Sequence, residues 1–321
     1  MTLDHIALSE APSLRSHSAA PGRYLLHREL IGAINAALAL GQPLLLTGEP
    51  GTGKTRLAYR IAHDLHQQQP DFLPEPLVFV TKTNSTAQEL FYQYDALRHF
   101  HDANVRQAQA EAAPDIAHYI DLQAYGQAIA LTNAAEIRSG RFLRAERPRS
   151  SVVLIDEIDK APRDFPNDLL SEVENAEFRI KEANQHLIRQ GEGQRIVLVL
   201  TSNSEKHLPE AFLRRCVFYH IPFPDAEQLQ RIVQVHFGED TPYRDEALIE
   251  HFLHIRETVR KKKPATAELI AWLRILELAD FVQSGIDLRR LSTTQRDHLR
   301  MSYSVLAKTQ EDLRAIEARF L

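Results

Sequence analysis

The sequence predicts an α/β fold: a five-stranded parallel sheet with helical crossovers, followed by a small all-helical domain. Three observations predict it. A short apolar run, Pro43-Leu44-Leu45-Leu46-Thr47, leads through a glycine-rich turn into an amphipathic helix, which makes a strand–loop–helix unit. Two further runs, 151–155 and 195–200, are almost wholly apolar, as central parallel strands covered on both faces are. Beyond Pro224 helical periodicity continues and no convincing strand occurs.

The turn is Gly48-Glu49-Pro50-Gly51-Thr52-Gly53-Lys54-Thr55, which fits the pattern G-x-x-x-x-G-K-S/T at every fixed position. Gly48, Gly51 and Gly53 let backbone N–H groups turn inward around phosphate oxygens. The following helix presents its positive N-terminal end to the same anion. Its face of Leu57, Ala58, Ile61, Ala62 and Leu65 is apolar. Lys54 supplies a point charge to the β- and γ-phosphates, and Thr55 a hydroxyl to Mg²⁺. Glu49, Pro50 and Thr52, with Arg56 just inside the helix, complete the expected nucleotide-binding set. A triphosphate site is the reading.

Composition sets the limits. The 321 residues suffice for two domains, and 44% hydrophobic content allows a sizeable core. A net charge of -5 gives no global case for nucleic acid or an acidic membrane. The single cysteine, Cys216, excludes an internal disulfide framework and a cysteine metal cluster. His99 and His101 lie two apart and no H-E-x-x-H occurs, so Mg²⁺ is the metal expected. No apolar run reaches membrane-spanning length and no signal-peptide layout opens the chain; the expected setting is cytoplasmic.

In order along the chain, 1–20 reads as a loose arm and 21–224 as the nucleotide-binding domain. Leu26, Leu30, Ile34, Ala37 and Leu38 form a helical stripe ending at Gly41. Leu77-Val78-Phe79-Val80-Thr81 is a second strand. The segment 82–150 is too long for one crossover. Within it 88–109 and 116–137 read as helices broken near Pro114, and an insertion is expected around 84–125. Its aromatics Phe91, Tyr92, Tyr94 and Phe100 read as core.

The third strand runs into Asp156-Glu157-Ile158-Asp159. There Asp156 would hold Mg²⁺ and Glu157 would orient or deprotonate the attacking water. A helix is expected over 167–176. Phe178-Arg179-Ile180-Lys181 alternates and Gly191-Glu192-Gly193 turns, which predicts a hairpin around 178–197 whose second arm continues into the fourth strand. That strand ends at Thr201-Ser202-Asn203, where Asn203 can hydrogen-bond the γ-phosphate or the water. A short helix over 208–217 ends in Arg214-Arg215-Cys216 ahead of a fifth strand. The arginine pair reads either as a solvated face or as a finger aimed at the γ-phosphate of a neighbouring subunit. The region 225–321 is the helical lid. In it Arg260-Lys261-Lys262-Lys263-Pro264 precedes a helix N-terminus at Thr266 that can face an anion.

In this order of motifs the chain resembles the AAA+ ATPases over roughly 22–300. It looks most like the MoxR family through Leu46–Thr55, through Leu154-Ile155-Asp156-Glu157-Ile158-Asp159-Lys160, through Thr201-Ser202-Asn203, and through Leu208-Pro209-Glu210-Ala211-Phe212-Leu213-Arg214-Arg215. The resemblance implies a homo-oligomeric ring, usually a hexamer, with ATP at each interface. Lys54, Thr55, Asp156, Glu157 and Asn203 would act in cis. Arg215, with Arg214 as runner-up, would be the finger acting in trans. It also implies chaperone-like remodelling of a client protein complex, often with a von Willebrand factor A-domain partner.

One position departs from the family pattern. The arginine called sensor 2 is missing at Lys263-Pro264-Ala265-Thr266-Ala267-Glu268, so Lys262 or Lys263 takes its role or the lid senses nucleotide differently. The leading reading is Mg²⁺-dependent ATP hydrolysis driving protein remodelling. A nucleic-acid or GTP-driven motor or loader, supported locally only by the basic stretch 256–263, and a nucleotide-dependent assembly scaffold are the alternatives.

Overall fold

A computed structural model describes residues 21–108, 114–205, 208–279, 281, 288 and 291–321. The arm expected over 1–20 lies outside them. The chain forms two compact units. One comprises Leu26–Thr47 and Lys54–His220; the other comprises the described residues up to Leu25, Gly48–Gly53 and Ile221–Leu321.

The first unit opens with α1 (Arg28–Leu40), which buries Leu30 and Ala37 and stops at Gly41, whose φ of 64° lies in the left-handed region that glycine adopts at least cost. Strand β1 (Leu44–Thr47) is buried at every position. Helix α2 (Lys54–Gln68) buries Leu57, Ala58, Ile61 and Ala62, the face that the spacing predicts. Next come β2 (Leu77–Val80), β3 (Tyr92–Tyr94), α3 (Ala96–Ala108), β4 (Ile120–Leu122), α4 (Ala124–Thr132) and α5 (Ala134–Ser139). The unit closes with β5 (Ser151–Asp156), α6 (Phe165–Asn175), β6 (Glu177–Ile180), β7 (His186–Arg189), β8 (Ile196–Ser202), α7 (Glu210–Leu213) and β9 (Val217–His220).

The main sheet has the order β2-β5-β8-β1-β9, and every pair in it is parallel. Val152, Val153, Leu154 and Ile155 of β5 are all 0% exposed. An alternating pattern would leave one face wet; this strand is covered on both, so both faces are apolar. Each such side chain contributes about 1.5–3 kcal/mol by leaving water.

Three expectations change. The segment read as helix over 88–109 begins as a 3-10 turn and then an extended strand: β3 pairs antiparallel with β4, Tyr92 opposite Leu122 and Tyr94 opposite Ile120. Tertiary packing overrides helical periodicity here, because Phe91 and Tyr92 are drawn into one cluster with Tyr125 and Phe178. Phe100, grouped with the core aromatics, is instead 70% exposed. The predicted hairpin also has a different second arm. β6 pairs with β7, not with the fourth core strand, and turns through Asn184 and Gln185, both in the left-handed region. Residues 191–193 then lead to β8, which belongs to the parallel sheet.

Among the described residues the second unit holds five α-helices: α8 (Ala226–Phe237), α9 (Glu246–Thr258), α10 (Thr266–Leu278), α11 (Thr293–Leu306) and α12 (Gln310–Phe320). Asp225 with Gln228 and Ser292 with Gln295 form reciprocal N-terminal caps. Its core is built on Phe252, Trp272, Leu273, Leu276 and Tyr303, all 0% exposed. Trp272 finds a partner for its indole N–H in Ser302 Oγ at 2.8 Å. Among the described residues no helix is long and apolar enough to cross a membrane.

Candidate functional site

Strand register assembles the site. Thr201 of β8 lies opposite Leu46 of β1, one residue before the end of that strand. On its other side Leu200 pairs with Ile155, so Asp156 follows beside Thr201. Parallel strands thus bring the carboxyl ends of β1, β5 and β8 together, where an open α/β sheet binds ligands.

The contacts follow from that register. Lys54, only 7% exposed, donates from Nζ to Asn203 Oδ1 at 3.0 Å. The Thr55 hydroxyl lies 3.1 Å from both Asp156 carboxylate oxygens. Thr201 Oγ1 donates to Asp156 Oδ1 at 2.5 Å and accepts from the Glu157 N–H at 2.9 Å. Asn203 N–H donates to Asp159 Oδ1 at 3.1 Å. Glu157 stands at φ 58°, an uncommon conformation for a residue with a Cβ and one that concentrates at functional positions. Its carboxylate pairs with Lys160 Nζ at 2.5 Å. That hydrogen bond, helped by the charges of Glu157, Asp159 and Asp156, raises the Lys160 ammonium above the ordinary lysine range. The pair is half exposed, so water screens it.

The glycine-bearing part of the loop belongs to the second unit. Thr52 Oγ1 donates to the Glu49 carbonyl at 2.8 Å and closes the turn. Gly51 has φ 80°, and a Cβ there would lie 2.9 Å from the Ala265 Cβ, so both backbone angle and space require glycine. Glu49 and Pro50 are exposed as residues, but the Glu49 carboxylate accepts from Arg256 Nη2. Arg56 is exposed on α2.

This donor set fits a nucleoside triphosphate with Mg²⁺. In the first unit a buried ammonium and a hydroxyl beside a carboxylate offer a cation to phosphate oxygens. They offer two oxygens to a hard divalent ion.

Some expected site residues stand elsewhere. Arg214 pairs with Glu210, and Arg215 Nε lies 3.5 Å from Glu174. Among the described residues neither arginine bonds to Lys54, Thr55, Asp156, Glu157 or Asn203. The basic stretch 256–263 does not form one charged face: Arg256 is 9% exposed, Lys261 pairs with Glu311 at 3.0 Å, and Lys262 and Lys263 are exposed. Glu268, at the start of α10, accepts from the Ala265 N–H at 3.1 Å, serving its own helix.

Sequence reasoning missed Thr201, Asp159, Lys160 and Arg256 as site neighbours. Thr201 was accessible through period two, since it shares a strand face with Asn203. Arg256 was accessible too: four residues after Phe252, it falls on the buried stripe of α9, where an arginine requires an acidic partner.

A phosphate loop leaving the fourth strand of a β2-β5-β8-β1-β9 sheet, with Asp-Glu ending β5 and Asn following β8, defines a P-loop nucleotide-binding protein of AAA+ architecture. The family model described as AAA domain, dynein-related subfamily, matches residues 43–216, more than half of the chain, and the chain belongs to that family. No curated protein matches it. Among solved structures, domain III of the Thermotoga maritima replication initiation protein DnaA is 14% identical with a TM-score of 0.42. That match covers 89% of this chain and 95% of the other.

Proposed function

We propose that the chain is an ATP hydrolase of the MoxR type that works as an oligomeric ring, six subunits in the usual case, and remodels or assembles a client protein complex in the cytoplasm. The observation that carries the reading is the contact set Lys54–Asn203, Thr55–Asp156 and Asp156–Thr201–Glu157 at one end of the parallel sheet. A binding loop alone requires only Lys54 and Thr55; the added carboxylate and amide are what hydrolysis requires.

When bound with ATP, Mg²⁺ would offset negative charge on the phosphate oxygens. The chain's own residues do the rest. Lys54 places its ammonium against the β- and γ-phosphates. Thr55 and Asp156 would hold Mg²⁺ through hydroxyl and carboxylate oxygens. Asn203, held through its own N–H by Asp159, orients the attacking water or a γ-oxygen. Glu157 accepts the water's proton at its carboxylate once Lys160 releases it. Arg215 from the adjacent subunit, or Arg214, neutralises charge in the transition state; the exposure of both supports a role outside their own subunit. A von Willebrand factor A-domain protein is the partner class the resemblance suggests.

Phosphate release from ATP and from GTP, measured on wild type and Lys54→Ala, tests the reading. Mg²⁺-dependent release that Lys54→Ala abolishes supports it. Equal release by both proteins sinks it.

A further inference from the structure

The glycine-bearing part of the phosphate loop is held by a buried arginine. Arg256 sits in the last turn of α9 with its side chain only 11% exposed. Its Nη1 donates to the Pro264 carbonyl at 2.7 Å, its Nη2 donates to the Glu49 carboxylate, and its guanidinium lies 3.7 Å from the centre of the Phe223 ring. A buried guanidinium requires a counter-charge and saturated N–H groups; this one obtains the charge from the phosphate loop. Pro264 immediately precedes Ala265, the residue that a Cβ on Gly51 would strike. One side chain therefore ties together the end of α9, the segment leading into α10, and the second residue of the loop.

We infer that Arg256 is a positioning residue for nucleotide binding: it holds the phosphate loop through Glu49 and makes the α9–α10 corner move with the loop. The inference rests on the nucleotide-binding reading above. It gives Glu49 a tethering role and places coupling between loop and helices in this ion pair, which explains how α10 can begin with threonine, alanine and glutamate and no arginine. Lysine cannot replace Arg256, because it offers neither the planar stack on Phe223 nor two directed N–H groups at fixed spacing.

The test uses the full chain and the variants Glu49→Gln, Arg256→Gln, Arg256→Lys and the swap Glu49→Arg with Arg256→Glu. Hydrogen exchange without nucleotide reads the tether directly. Amides of 49, 51–53 and 265–268 should exchange about tenfold faster in Glu49→Gln and in Arg256→Gln, with partial recovery in the swap. Titration with a fluorescent ATP analogue should show affinity about tenfold weaker in both single variants and in Arg256→Lys. Glu49 is exposed, so Glu49→Gln remains informative if an Arg256 variant unfolds. Wild-type exchange at 49–53 in Glu49→Gln overturns the inference. Faster exchange in Glu49→Gln with no binding of the analogue by wild type leaves the tether standing and removes the nucleotide reading.

Discussion

Lys54 donates to Asn203 Oδ1 at 3.0 Å, across 149 residues of chain. The bond joins the start of α2 to the residue just after β8, and the parallel register of β1 with β8 brings the two together. A buried ammonium that already orients an amide is prepared for the charge of a phosphate before any ligand arrives. Asn203→Ala should lower turnover by about 100-fold while changing nucleotide affinity far less. Steady-state phosphate release beside a nucleotide titration separates the two effects, and an unchanged turnover removes Asn203 from the site.

Glu157→Gln keeps the shape of the side chain and removes its basicity. Turnover should fall by about 10²–10⁴-fold with ATP still bound. Rapid filtration of labelled ATP with a parallel hydrolysis assay checks this. Equal turnover in variant and wild type would eliminate Glu157 as the base.

Thr201 is 1% exposed and serves two acids at once. Thr201→Val leaves the Glu157 N–H without its acceptor and leaves Asp156 with the Thr55 hydroxyl but without the Thr201 donor. The loss of stability should be about 1–3 kcal/mol by chemical denaturation. The Mg²⁺ concentration for half-maximal turnover should rise as well, since Asp156 loses its orientation. A rise in neither quantity contradicts this account of Thr201.

Arg215→Ala should abolish most turnover, by about 10³-fold, and spare binding. Mixing distinguishes a finger in trans from one in cis. Arg215→Ala subunits combined with Glu157→Gln subunits should regain activity, because each lacks what the other supplies. No regain in the mixture, or a loss confined to Arg214→Ala, places the finger elsewhere.

The helical unit carries a pH dependence of its own. His251 lies 8% exposed in the core, its Nε2 2.8 Å from the Tyr303 hydroxyl, with the Trp272, Tyr303 and Phe320 rings around it. Burial, helped by nearby His254, pushes its pKa from the ordinary 6.5 down to about 4. The folded state therefore favours the neutral ring. The stabilisation this implies is fully present above pH 6.5 and is lost as pH falls toward 4, by about 3 kcal/mol. Tm measured from pH 7 to pH 4 should drop, and His251→Phe should flatten the drop. A parallel decline in both proteins would assign the effect to other groups.

The parts legible in the sequence were those whose physics is local. The loop, its flanking strand and the buried face of α2 lie within some 25 residues and follow from side-chain periodicity and motif spacing. The β3–β4 pair was not legible, because three-residue strands have too few positions to show alternation against a helical background. The end of the second hairpin was misread for a related reason: Gly191 and Gly193 mark a turn, while the actual reversal uses Asn184 and Gln185, which tolerate positive φ less commonly than glycine.

By itself the sequence determined that a phosphate loop precedes an Asp-Glu strand end and an Asn strand end, since each is a contiguous run with its own signature. Only the tertiary structure decided what those runs touch. Strand order β5-β8-β1 places Thr201 between Asp156 and the loop strand, and the packing of α9 aims Arg256 at Glu49. Pairing between distant strands and the demand of a buried charge for its partner are set by the whole fold, and neither leaves a mark at one position of the chain.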